Sequence, residues 1–313
     1  MAEAIDRARQ SARRSIPLAA LLPALVACAT QLPATRALVL EDAERFAAVY
    51  SQNGGLPDAD ALRQGYLGPG SPGVVLFTPH RIRDADHLAR AVARDRDAYR
   101  RAIERCLPAA RAMSEDVEAS IAHIGRLLGL RDVAPVFVLF GAGNSGGTAG
   151  PEGVALGLEV VCRDIASPAE ALARLRGFVL HELTHVHKAR AKASAVRDTL
   201  LRQILVEGFA DFVMEMATEG RESADPARER HGRQYEAALW RQIQSDLQEE
   251  VRRSEWLYRV AEGRPADMGY WIGQRICEAY FARAADKPAA MRALLELRDP
   301  GQILRDSGYA PGV

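Results

Sequence analysis

The chain has no surplus of either charge: 41 basic residues stand against 41 acidic ones. That balance offers no broad attraction to nucleic acid or to an anionic membrane surface. Cysteine is scarce, at four in 313 residues, and no two form a C-x-x-C pair, which disfavours a cysteine-built zinc site. The glycine-rich stretch Gly141–Gly153, GAGNSGGTAGPEG, lacks the G-K-[ST] ending of a phosphate-binding loop, which disfavours nucleotide binding. No internal repeat is evident. No apolar run reaches the length needed to cross a bilayer: Ile16 to Ala27 spans only twelve residues.

That short run suits a different role. Arg7, Arg9, Arg13 and Arg14 precede it, and it ends Leu25-Val26-Ala27-Cys28. Pro17 and Pro23 argue against a stable core helix there. Residues 1–27 therefore read as a secretory signal whose ending resembles a bacterial lipobox, with Cys28 lipid-modified as the mature N-terminus. The expected location is the bacterial cell envelope, with a lipid anchor to the membrane. Cys106, Cys162 and Cys277 then remain, enough for one disulfide and one spare thiol in an oxidising compartment.

The chemistry concentrates in HELTH, His181 to His185, within a helical pattern from about Pro168 to Lys192. Ser167-Pro168-Ala169-Glu170 is a capping box with proline at the first helical position. Leu172, Leu175, Val179, Leu183 and Val186 supply an apolar face. Histidines four apart lie about 40° from each other around a helix, so two imidazoles reach one ion. Glu182, one step round, stands beside such an ion and can take a proton from a water that the ion polarises.

A catalytic zinc needs a third protein ligand and an open position. Glu207 lies 22 residues beyond His185, in a second helical pattern from about Asp198 to Ala217. The first helix continues about two turns past His185, roughly 12 Å, and the chain turns near Ala193-Ser194. An antiparallel return brings Glu207 level with the histidines. Asp211, four residues on, shares its face and can accept the free ring N–H of His181, fixing the tautomer. Two carboxylates among Leu201, Ile204, Leu205, Phe209, Phe212 and Val213 would be costly without partners.

HELTH followed by E-G-x-A-D resembles the gluzincins, zincins whose third ligand is a glutamate on the next helix. The metzincin alternative fails, since Lys188 and Ala191 occupy its glycine and histidine positions. More narrowly, HELTH, VEGFADF, FGAGNSGGTA, GYWIGQRI and ILRDSGY resemble a bacterial family of predicted zinc-dependent proteases of unknown function. Gluzincins often supply a tyrosine or histidine for the oxyanion after the glutamate-bearing helix. Tyr270, between Gly269 and Gly273, is the candidate; His231 and Tyr258 have no compelling spacing. Gluzincins also hold extended substrate along a sheet edge, a role this resemblance gives to Val154–Leu158.

The expected fold is α+β, predominantly α-helical. A helical region over 28–130 precedes a zincin-like domain over 131–313. Strands are expected at Val74–Phe77, Val133–Phe140 and Val154–Val161. A loop is expected over Glu219–Arg233, then helices at Tyr235–Ala261, at about Tyr270–Ala285 and at Pro288–Leu297, with a Gly/Pro tail. The expected function is a Zn2+ metallopeptidase acting on a peptide or protein. His181, His185 and Glu207 would be its ligands, Glu182 its general base, Asp211 a support and Tyr270 the oxyanion donor. The alternative is a lipid-anchored, non-catalytic binding or assembly protein on the same scaffold. A third option keeps the chemistry but takes a non-peptide amide or ester. Oligomeric state is not readable.

Overall fold

A computed structural model describes residues 37–190, 198–220, 223, 225–250, 255–257 and 262–312. The expected signal segment 1–27, Cys28, the expected turn at Ala193-Ser194 and Tyr258 lie outside the described residues. The fold is α+β and predominantly helical, with one small mixed sheet. None of the described helices is long and apolar enough to cross a membrane.

The strands are β1 (Leu38–Val39), β2 (Val136–Leu139), β3 (Gly147–Gly150) and β4 (Gly153–Gly157), in the spatial order β1-β2-β4-β3. β1 and β4 run parallel to β2, and β3 is antiparallel to β4. Every residue of β2 and of β4 is buried, as expected for strands covered on both faces. Pro151 and Glu152 turn the chain between β3 and β4. Gly153 closes that turn at φ 145°, where a Cβ would lie 2.2 Å from the Pro135 carbonyl oxygen.

Among the described residues, seven α-helices precede β2, α1 (Glu41–Gln52), α2 (Ala59–Leu62), α3 (Pro72–Phe77), α4 (Ala85–Arg94), α5 (Arg96–Arg101), α6 (Leu107–Ala112) and α7 (Ser114–Leu127), with π-helical turns at Arg63–Leu67, Thr78–Ile82 and Ala102–Cys106. Phe46, Tyr66, Tyr99 and Phe140 form an aromatic cluster that joins them to the sheet. The Tyr66 hydroxyl donates to the Phe140 carbonyl at 2.6 Å and accepts from its N–H at 3.1 Å. The Tyr99 hydroxyl donates to the Gly141 carbonyl at 2.8 Å. One hydrophobic core runs from Leu38 to Ile303, through both the N-terminal helices and the later ones.

The remaining helices are α8 (Leu158–Val161), α9 (Pro168–Arg190), α10 (Leu200–Ala217), α11 (Pro226–Ile243), α12 (Met268–Arg283), α13 (Lys287–Glu296) and α14 (Pro300–Ser307). Ser167 caps α9 as the sequence predicts, accepting from the Glu170 N–H at 3.2 Å, and Glu170 reaches back to the Ala166 N–H at 2.9 Å. Thr199 caps α10, accepting from the Arg202 N–H at 3.3 Å. α10 is buried on nearly every side, packed by α9, α12, α7 and α14, and it is correspondingly apolar all round.

Several expectations change. Val74–Phe77 is helical, not a strand: Ser71 accepts from the Gly73 N–H at 3.0 Å and Pro72 opens α3. Short apolar runs do not reveal their period. Val154–Val161 divides at Gly157 into β4 and α8. β4 is paired on both sides, so it has no free edge for a substrate; β3 takes the outer place. The expected loop at Glu219–Arg233 contains the start of α11, capped by Asp225 and opened by Pro226, and α11 ends at Ile243. The C-terminal tail holds α14, capped by Asp299 and opened by Pro300.

A disulfide joins Cys106 to Cys162, across 56 residues of sequence, and ties the N-terminal helices to the end of α8. Such a cross-link contributes about 2–4 kcal/mol, largely by restricting the unfolded chain. Among the described residues the free thiol is Cys277, buried in α12.

α10 and α12 cross in backbone contact: a Cβ on Gly273 would lie 1.7 Å from the Ile204 carbonyl oxygen, and one on Gly208 2.1 Å from the Gln274 nitrogen. Gly273→Ala should therefore lower the unfolding free energy by about 3 kcal/mol. An unchanged thermal melt would mean that the helices part freely.

Lys188, buried near the end of α9, donates to the Leu294 and Leu295 carbonyls at 3.0 and 3.1 Å, capping the last turn of α13. Burial pushes its ammonium down to about 8. From pH 8 to about 10.4 the unfolded chain holds the extra proton, so stability rises with pH through that window. Denaturant titrations should show wild type gaining about 3 kcal/mol on Lys188→Met between those limits. Parallel curves would show that the ammonium is not desolvated.

Candidate metal centre

α9 supplies His181 and His185, and α10 supplies Glu207 and Asp211. His181 pairs with Asp211, and His185 with Glu207. Numbers rise along one helix as they fall along the other, so the two helices run antiparallel, as the spacing predicts. Gly208 lets α12 press directly on α10 beside Glu207.

Three atoms converge. His181 Nε2 lies 3.1 Å from His185 Nε2, His185 Nε2 lies 3.1 Å from Glu207 Oε2, and His181 Nε2 lies 3.5 Å from Glu207 Oε2. Ligands held tetrahedrally around zinc at about 2.0–2.1 Å sit about 3.3 Å apart, so the triangle has the size of one zinc face. His181 Nδ1 donates to Asp211 Oδ1 at 2.8 Å. A carboxylate only accepts, so Nδ1 carries a proton and Nε2, which faces the triangle, is the atom a metal would take in place of its proton. The residues present fit a zinc ion, and His181, His185 and Glu207 form a group that could hold a metal.

The electrostatics agree. Burial pulls the His181 imidazolium down, but hydrogen bonds with Asp211 and Glu207 outweigh it and push the group up to about 10. Burial raises the Glu207 carboxyl, and hydrogen bonds from His181 and His185 reverse this, holding it well below the usual carboxylate range. Both shifts report a point in the fold that favours positive charge. The side chains of His181 and His185 keep 13% and 19% of their exposure, so the face is not sealed.

Glu182 follows His181 on α9, half-buried. The Tyr270 ring, at the start of α12, lies 6.0 Å from the His181 ring and within 18° of parallel. Two neighbours were not foreseen. Gln203 donates to the second oxygen of Glu207 at 3.1 Å. It lies four residues before Glu207, a helix-face spacing that could have revealed it. Arg228 donates to Asp211 Oδ2 at 2.5 Å from α11, and no local spacing points to it. His231, one turn further along α11, packs its ring 4.7 Å from that of Tyr235, and no described contact brings it to the triangle.

The Gly141–Gly153 loop is anchored close by. Glu159, buried in α8, accepts from the Gly141 and Gly143 N–H groups at 3.0 Å each, and burial pushes its carboxyl up. The loop leads into β3, whose Gly147 lies against Phe178, three residues before His181.

Residues 140–296, half the chain, match the family described as Predicted Zn-dependent protease (DUF2268). The chain belongs to this family. The match begins at the last residue before the glycine-rich loop and ends with α13, so this predicted zinc-dependent protease family encloses the whole triangle. No curated protein and no solved structure matches the chain.

Elemental analysis of the purified protein should give about one zinc per chain, and much less in Glu207→Ala. Equal zinc in both would remove Glu207 from the ligand set.

Proposed function

We propose that the protein is a zinc metallopeptidase of the gluzincin type. The supporting observation is the His181–His185–Glu207 triangle, with Glu182 beside it on α9. Zinc bound there would supply a Lewis acid that polarises a scissile carbonyl and lowers the pKa of a water towards about 7.

In this reading, Glu182 takes the proton of the attacking water and hands it to the leaving amine. Asp211 holds His181 in one tautomer. Tyr270, its ring set parallel to that of His181, donates to the developing oxyanion. An extended peptide lies along β3, the outer strand of the sheet, which rests on α9 near Phe178. The substrate is a peptide or protein. We further propose that the chain works in the cell envelope on a lipid anchor at Cys28. The Cys106–Cys162 disulfide supports an oxidising compartment.

Glu182→Gln tests the assignment, because it preserves shape and removes the base. Zinc content should stay at the wild-type level while kcat for peptide hydrolysis falls about 10²–10⁴-fold. A zinc-loaded wild type that cleaves nothing across a broad peptide panel would favour the non-catalytic binding protein instead.

A further inference from the structure

We infer that Arg228 is a positioning residue for the metal centre, acting through Asp211 and Tyr270 on His181; this rests on the zinc reading above. Asp211 is 1% exposed and has two oxygens to place. Oδ1 accepts from His181 Nδ1 at 2.8 Å, and Oδ2 accepts from Arg228 Nη2 at 2.5 Å. Holding Oδ2 stops the carboxylate from rotating and aims Oδ1 at the imidazole.

The same guanidinium has a second contact. Its central carbon lies 4.7 Å from the Tyr270 ring centroid, and that ring stacks on His181. One cation therefore fixes the in-plane hydrogen bond of His181 through Asp211. It also fixes the surface that His181 rests on through Tyr270.

Charge explains why a cation belongs there. One oxygen of the buried Asp211 carboxylate is taken by His181, and Arg228, 8% exposed, gives the other a charged donor in place of the water that burial removes. Geometry explains why it is arginine. A planar guanidinium can hydrogen-bond in its plane and stack through its face, whereas a lysine ammonium offers only a point charge. The backbone holds Arg228 in place: Asp225 caps α11 by accepting from the Ala227 and Arg228 N–H groups at 2.9 and 3.0 Å. Thus α11, which contributes no ligand, sets the orientation of a ligand on α9.

The test is zinc affinity of the purified chain by chelator competition, with the visible spectrum of the cobalt-substituted protein as a geometric readout. Arg228→Met should weaken zinc binding about 10–100-fold and shift the cobalt bands, with Arg228→Lys restoring part of the loss. Asp211→Asn should weaken binding similarly. Adding Arg228→Met to it should cost no more than about another threefold, because only the contact with Tyr270 is then left to lose. Wild-type affinity and spectrum in Arg228→Met, or a full additional loss in the Asp211→Asn background, would overturn the assignment. Should Arg228→Met fail to fold, Arg228→Lys decides. A severalfold loss with shifted cobalt bands supports the assignment, and unchanged values overturn it. A wild type that binds neither metal would sink the zinc reading, and this inference with it.

Discussion

Two ionised carboxylates on a buried helix are the constraint that orders the rest of the structure. α10 is apolar on nearly every side, yet Glu207 and Asp211 are buried in it. Unpaired, each would cost several kcal/mol. The surroundings answer with donors: His181 and His185 from α9, Gln203 one turn back on α10, and Arg228 from α11. The glycine crossing with α12 brings a further wall to backbone contact beside Glu207. In such a setting the open valence of the histidine nitrogens is a place for a cation, and the triangle's edges suit zinc.

Much of the centre was legible because it is local. HELTH sits on one helix, and the E-G-x-A-D segment on the next. The Ser167-Pro168 cap and the apolar periodicity locate the first helix closely: Pro168 to about Lys192 expected, Pro168–Arg190 observed. What escaped was either non-local or too short to show a period. Arg228 reaches Asp211 across the packing of α11 on α12, and no spacing in the chain encodes that contact. The pairing of Cys106 with Cys162 likewise depends on how α8 meets the helices before it.

Some of the rest shares one local signal, a capping residue followed by proline. The Ser-Pro at 167–168 marks a helix start, and so does the Ser-Pro at 71–72. Asp-Pro at 225–226 and at 299–300 does the same work for α11 and α14. Read consistently, these pairs would have turned the expected strand at Val74–Phe77 and the expected C-terminal tail into helices. β3 was harder. Gly147-Thr148-Ala149-Gly150 has no apolar alternation and exists as a strand because β4 offers it a partner.

The disulfide has a consequence for what counts as a unit. Cys162 lies within the half of the chain that carries the family likeness, and Cys106 lies outside it. The same division separates β4 from its parallel neighbour β2, and Glu159 from the tyrosines that hold the other side of the Gly141 turn. The stretch that matches the family is therefore smaller than the stretch that shares one hydrophobic core. The family match takes in the His181–His185–Glu207 triangle, while Cys106, the strand β2 and the aromatic residues Phe46, Tyr66 and Tyr99, which pack against that stretch, all precede it.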